Sequence, residues 1–340
     1  MRFEKKIIYS EDENINFPYV LFIPDNVAEN ASLIVDLKTP GPMSGDVDVM
    51  VSELLEGGIS YNPAMLMEKL NYPVMTPIIP RPKGFYTSFL SSKVINNDFS
   101  ELHGNVAESD EYRFKDIDMQ VYYMIKEANS LLGLNSKAII NGYSAGAKFA
   151  TGFSILHPDI ICCNISGGTS GLSTLPIKKI GDVSLPYPIG VDNVNFDEEK
   201  FRKIKHFFYM GQEDDNNPAL PLCELSGEKD PNGNPLPKRN ADGSICYIVD
   251  ENGKLMPHHL ECYTKEEINI IHNLYGDENM ERFKKNELFY KELGIDSLHK
   301  IYPGNHANFF RLNREQLIND MFTVIQSAKQ SELNDGFQMK

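Results

Sequence analysis

Apolar residues in the first eighty positions come in short runs broken by polar and turn-forming residues, a pattern of strands. Phe17 to Pro24, Leu33 to Leu37 and Val74 to Ile79 are such runs, with Pro, Asn and Asp between them. The first is predicted to pair with Phe3 to Tyr9 across the acidic turn Ser10 to Asn14. Pro63 to Leu70, between the second and third runs, reads as a helix with proline in its first turn. Residues 81–112 are irregular and predict a long loop. The period then changes. Ile117, Val121, Met124, Ala128 and Leu131 recur at steps of three and four, so Phe114 to Leu132 is an amphipathic helix with these side chains buried.

Strand and helix patterns alternate from there on. Lys137 to Asn141 is an apolar strand, and Ala145 to His157 a helix halted by Pro158. Ile161 to Ile165 is a strand ending in Ser166-Gly167-Gly168, and residues 169–198 are loop-like. Phe201 to Met210 and Leu298 to Tyr302 are the last strands. The closing helix runs from about Arg314 to Ala328, with Leu317, Ile318, Met321, Phe322 and Ile325 on one face. Such alternation predicts an α/β fold: a mostly parallel sheet with helices on both faces.

Length alone allows about two domains. The unbroken alternation favours one α/β domain over residues 1–340, with a single insertion at 218–263. That segment carries Asp230-Pro231-Asn232-Gly233-Asn234-Pro235, Asp242-Gly243 and Glu251-Asn252-Gly253 around an apolar stretch, Ser244 to Val249. Turn signals so spaced predict a small β-hairpin excursion, either a surface feature or a cap. The opening Asp230-x-Asn232-x-Asn234 resembles a calcium loop. Pro235 stands where that loop needs glycine, however, and Ala241 where it needs a bidentate glutamate, so calcium is not expected.

Composition narrows the function. A net charge of -15 argues against nucleic acid and anionic membrane surfaces as partners. No apolar run is long enough to span a bilayer, and Met1 to Tyr9 lacks the apolar core of a signal peptide. The five cysteines, Cys162, Cys163, Cys223, Cys246 and Cys262, form neither a disulfide framework nor a zinc pattern. A cytoplasmic protein is therefore expected, with homo-oligomerisation left open.

The chemistry is announced by Gly142-Tyr143-Ser144-Ala145-Gly146. It lies between a predicted strand and a predicted helix, the setting of a nucleophile elbow. The tight turn lifts the Ser144 hydroxyl clear of the sheet, and the helix N-terminus offers unpaired N–H groups to a developing oxyanion. A serine needs a base, and the base needs an acid to fix its tautomer. Glu213-Asp214-Asp215 follows the strand ending at Met210, and Pro303-Gly304-Asn305-His306 follows the last strand. The order serine, acid, histidine is that of an elbow hydrolase. Other histidines fit worse: His157 closes the elbow helix, ~20 Å from Ser144. His206 begins or precedes a strand, His258 and His259 lie in the excursion, and His272 lies in a helical stretch. His103 precedes the serine.

Nearly the whole chain resembles bacterial α/β-hydrolases of the serine esterase and depolymerase-like group. Pro80-Arg81-Pro82 with Tyr86-Thr87, the Ser144 motif with Phe149-Ala150, and His157-Pro158 followed by Ser166-Gly167-Gly168 carry the likeness. Leu185 to Val191 and Tyr302 to His306 extend it. The resemblance places the acid three residues after the glycine that ends its strand, which favours Asp214 over Asp215. It implies hydrolysis of a small carboxylic ester through an acyl-enzyme, by Ser144, His306 and Asp214, without metal or organic cofactor. Peptide and thioester cleavage use the same triad, and a non-catalytic binding scaffold uses the same fold. The oxyanion donors would be Ala145 N–H and a second N–H after the strand ending at Leu37. There the group often has His-Gly, whereas this chain has Lys38-Thr39-Pro40-Gly41-Pro42. The prolines have no N–H, so Thr39 or Gly41 is the candidate.

Overall fold

A computed structural model describes residues 2–37, 46–80, 113–214, 216, 224–229, 235–241, 246–248, 263 and 265–336. The chain opens with β1 (Phe3–Ile8), β2 (Tyr19–Pro24) and β3 (Ile34–Leu37), then α1 (Val47–Gly57), α2 (Tyr61–Leu70) and β4 (Val74–Pro77). The helix α3 (Ile117–Leu132) leads into β5 (Ala138–Tyr143), α4 (Ala145–Leu156) and β6 (Ile161–Gly167). A two-residue hairpin, β7 (Lys179–Ile180) and β8 (Val183–Ser184), and the short helix α5 (Glu198–Phe201) precede β9 (Lys205–Gly211). Next come β10 (Leu225–Lys229), β11 (Pro235–Pro237), α6 (Lys265–Tyr275), α7 (Asn279–Glu292), β12 (Ser297–Tyr302) and α8 (Phe309–Asn334).

Eight strands form the central sheet in the order β1-β2-β4-β3-β5-β6-β9-β12. The β1/β2 and β2/β4 pairs are antiparallel, and every pair from β4 to β12 is parallel. Parallel strands covered on both faces need apolar side chains on both, which explains the unbroken runs: Ala138, Ile139 and Ile140 are all fully buried. The strand order places β5 next to β3 and β6, in the middle of the sheet. The C-terminal ends of β5, β9 and β12 therefore open on one edge, where sites of α/β sheets form.

Several boundaries differ from the sequence reading. Phe201 does not start a strand. It closes α5, whose N-cap Asp197 accepts from Lys200 N–H, and β9 begins at Lys205. Phe201 and Ile204 are buried like strand residues, so periodicity alone extended the run. Leu131 is not on the buried face of α3 but is 59% exposed, while Ile125 and Asn129 are buried in its stead. Residues 169–198 are not wholly loop, since they hold β7 and β8. The closing helix starts at Phe309, with a break at Asn313 (φ -124°), whose side-chain amide donates to Pro303 and Phe309 carbonyls. The expected start at Arg314 is the point just after that break. Neither α1 nor α7 is announced by the apolar pattern. Asp46 caps α1 by accepting from the N–H groups of Asp48 and Val49.

Within 218–263, β10 and β11 pair antiparallel around the turn expected at Asp230 to Pro235. Of the apolar stretch Ser244 to Val249, Cys246 joins this hairpin, accepting from Glu224 N–H and donating to the Lys238 carbonyl. Tyr247 and Ile248 follow it, Ile248 being exposed, whereas Ser244, Ile245 and Val249 and the predicted loop 81–112 lie outside the described residues. Among the described residues, no helix is long and apolar enough to cross a membrane.

Candidate active site

Ser144 sits between the last residue of β5 and the first of α4, at φ 55° and ψ -120°. That conformation is costly for any residue with a Cβ, so the surrounding turn must impose it. Two glycines make the turn this tight. A Cβ on Gly142 would strike the Gly146 carbonyl, and one on Gly146 would strike the carbonyl of Leu37 on β3. Ser144 N–H donates to the Gly167 carbonyl at 2.8 Å, which fixes the turn to β6. As N-cap of α4, Ser144 makes no side-chain capping bond, so its hydroxyl is not spent on the helix. Ala145 N–H is the first of α4 and belongs to the group of N–H donors that a helix leaves without intrahelical acceptors.

The loops that carry Asp214 and His306 are joined through their backbones. Gln212 N–H donates to the Tyr302 carbonyl at 2.7 Å and Glu213 N–H to the Gly304 carbonyl at 3.0 Å. This brings Asp214 and His306 together, with Asp214 Oδ2 2.9 Å from His306 Nδ1. The Asp214 side chain is fully buried and the His306 ring one-fifth exposed. A buried carboxylate facing Nδ1 selects the tautomer with the proton there, leaving Nε2 as the basic atom. Among the described residues, Nε2 meets the side-chain amide of Asn216 at 3.2 Å rather than the Ser144 hydroxyl. Catalytic hydrogen bonds are often loose before substrate binds.

Further residues brace this pair, and sequence reasoning gave them no role. Asn216 N–H donates to Asp214 Oδ1 at 3.1 Å, so one residue touches both Asp214 and His306. Asn279, at the start of α7, donates to the backbone carbonyls of Asp214 and Asn216 at 3.0 and 2.9 Å. Fully buried Arg282 supports that helix start through the carbonyls of Gly276 and Asp277. Tyr143 donates its hydroxyl to the His306 carbonyl at 2.5 Å, with ring centroids 4.8 Å apart. Only Tyr143 had a signal: its place beside the nucleophile.

Thr39 and Gly41, the candidates for the second oxyanion donor, and Asp215, the alternative acid, lie outside the described residues. The rejected histidines have other partners. His157 Nε2 lies 2.8 Å from Asp118 at the far end of α4, and His272 pairs with Asp277. His206 is the second residue of β9, wholly buried, and desolvation pushes its imidazole down to about 3. Among the described residues, no group of three His, Cys, Asp or Glu could hold a metal ion. Cys162 and Cys163 are buried free thiols, and burial pushes Cys162 up to about 12, which leaves it inert as a nucleophile.

No protein-family model and no curated protein matches the chain. Among solved structures, a poly(aspartic acid) hydrolase from Sphingomonas sp. KT-1 superimposes with a TM-score of 0.50 at 15% identity, over 96% of this chain and 97% of that one. The fold is that of the α/β-hydrolases. A poly(3-hydroxybutyrate) depolymerase from Bordetella parapertussis is similar with a TM-score of 0.48 at 14% identity, over 99% of this chain and 92% of that one. A ferulic acid esterase has a TM-score of 0.46 at 11% identity, over 95% and 98%. Ser144 lies in the turn between β5 and α4, and Asp214 and His306 follow β9 and β12 in chain order.

Proposed function

We propose that this chain is a serine hydrolase that cleaves a small carboxylic ester through an acyl-enzyme on Ser144. The observation that carries this reading is the strained Ser144 at the β5–α4 turn, with its hydroxyl free of capping. The Asp214–His306 contact supports it, because that pair supplies a correctly oriented base at the same edge of the sheet. His306 Nε2 takes the Ser144 proton as the hydroxyl attacks the ester carbonyl. Asp214 stabilises the imidazolium that forms. Ala145 N–H, at the positive end of α4, receives the oxyanion, with a second N–H from Thr39 or Gly41. His306 then gives its proton to the departing alcohol. Water repeats the sequence and releases the acid. For the first step, the Asn216 amide must yield its place at Nε2 to the serine hydroxyl.

The test is labelling with a fluorophosphonate and turnover of a short p-nitrophenyl ester. The chain should be labelled at Ser144 and should hydrolyse the ester. Ser144→Ala should do neither while keeping its circular dichroism spectrum. Turnover in that variant at the level of the unmodified chain would show that another group is the nucleophile.

A further inference from the structure

Successive side chains of a strand point to opposite faces of its sheet. Gly142 faces α4, because a Cβ there would strike the Gly146 carbonyl, so Asn141 and Tyr143 on either side of it face away from α4. Asp36 on β3 is paired in register with Asn141, which sets the two side chains next to each other on that second face. Between these strand ends and the starts of α2 and α8 is a cavity of about 330 Å³, within the size range of ligand pockets. Asn141 and Asp36 form its buried end, at 5% and 2% exposure. The rings of Tyr143, Tyr209 and Phe310 line it, and half-exposed Tyr61 forms its outer end. There the exposed Arg314 guanidinium rests over the Tyr61 ring, 4.8 Å from its centroid.

The buried end of this cavity accepts hydrogen bonds. An amide oxygen has two lone pairs and a carboxylate about four, so both side chains can accept from an occupant whatever else they bind. Asn141 Oδ1 accepts no hydrogen bond from a described residue. Asp36 gives that end a negative charge, and aromatic faces attract cations. The occupant that matches is therefore a cationic donor on an apolar body, which a primary ammonium supplies. A net charge of -15 also draws cations toward the chain. Tyr143 links the cavity to the candidate active site. It directly precedes Ser144, its ring centroid is 4.8 Å from that of His306, and its hydroxyl donates to the His306 carbonyl at 2.5 Å. Filling the cavity removes the space into which this ring can move, and so holds the hydroxyl on the His306 loop.

We infer that this cavity is a binding site for a small primary ammonium with an apolar body, its charged end on Asn141 and Asp36, and that the bound amine raises the reactivity of Ser144 by holding Tyr143 against the His306 loop. The effect on Ser144 rests on the serine-hydrolase reading, whereas the binding does not.

The test is calorimetric titration at pH 7.5 with phenethylamine and with its neutral counterpart, 2-phenylethanol. The unmodified chain should bind the amine at one site, at least tenfold more tightly than the alcohol. Asp36→Asn, which keeps the shape and removes the charge, should bring the two affinities close together, and Asn141→Leu should weaken both. Tyr143→Phe should still bind the amine. Saturating phenethylamine should speed fluorophosphonate labelling of Ser144 at least twofold in the unmodified chain and leave it unchanged in Tyr143→Phe. The measurements on the unmodified chain stand even if a variant fails to fold. Equal affinities for amine and alcohol in that chain, or an amine affinity untouched by both Asp36→Asn and Asn141→Leu, would overturn the inference. So would labelling that the amine leaves unchanged, or slows by occupying the ester site itself. Absence of labelling without any amine would instead sink the hydrolase reading and leave the binding to be judged by the titrations.

Discussion

Asp214 uses one carboxylate oxygen for His306 Nδ1 and the other for Asn216 N–H, so its charge serves both orientation and loop closure. Replacing it by asparagine keeps the shape but offers an amide in place of the carboxylate, which no longer enforces the working tautomer. Asp214→Asn should therefore lower kcat roughly 10⁴-fold, the scale seen when a triad loses its acid. Steady-state kinetics on the p-nitrophenyl ester checks this, and Asp215→Asn should do far less. If the two effects are exchanged, the acid is one residue further along. At this scale the candidate site was legible where chemistry needs a residue type at a fixed chain position: Ser144 in its motif, Asp214 after Gly211, His306 after the last strand. Asn216, Asn279 and Arg282 were not legible. Their roles come from contacts between distant segments, such as the Asn279 amide on the Asp214 carbonyl, which no local pattern encodes.

Strands β9 and β12 carry two histidines among aromatic rings. His206 and His299 are each pushed down to about 3, first by burial and, for His206, also by its neighbour His299. An unfolded histidine titrates near 6.5. Between about 6.5 and 3 the unfolded chain thus binds more protons than the folded one, so stability is complete above that window and falls as pH drops through it. The urea midpoint should be clearly lower at pH 5 than at pH 7.5. His299→Phe, placed among Phe208, Phe283 and Tyr290, should flatten the difference. An unchanged pH dependence in that variant would remove His299 as its source. Elements with one unbroken apolar signature, β2, β3, β5 and the body of α8, were readable in advance. The boundary of β9 was not, because Phe201 and Ile204 are buried through helix and turn rather than strand. Leu131 misled for the complementary reason: it keeps the period of α3 but faces solvent, while the next residue, Leu132, packs against the core.

At the scale of the whole molecule, the mostly parallel sheet followed from alternation, while the order of its strands, with β4 between β2 and β3, did not. The insertion at 218–263 begins just after Asn216, which touches His306, and ends at Tyr263, whose ring faces the Lys148 ammonium on α4. Its first attachment thus lies at the candidate site. Replacing residues 218–262 by a Gly-Ser linker, with Tyr263 kept, should shift chain-length preference across a panel of acyl esters while the smallest ester is still hydrolysed. An unchanged profile in a folded variant would leave the insertion without a role in selection. The elbow has a consequence for the molecule's own persistence. The backbone values of Ser144 are those of the first central residue of a type II′ turn, a place where glycine fits without cost. The chain therefore carries Ser144, its proposed nucleophile, against the preference of its fold. Ser144→Gly should melt higher than Ser144→Ala by an amount equivalent to about 1 kcal/mol, although both are inactive. Equal melting temperatures would mean the turn is relaxed around serine. A surplus for glycine would measure what durability the molecule forgoes in order to be reactive.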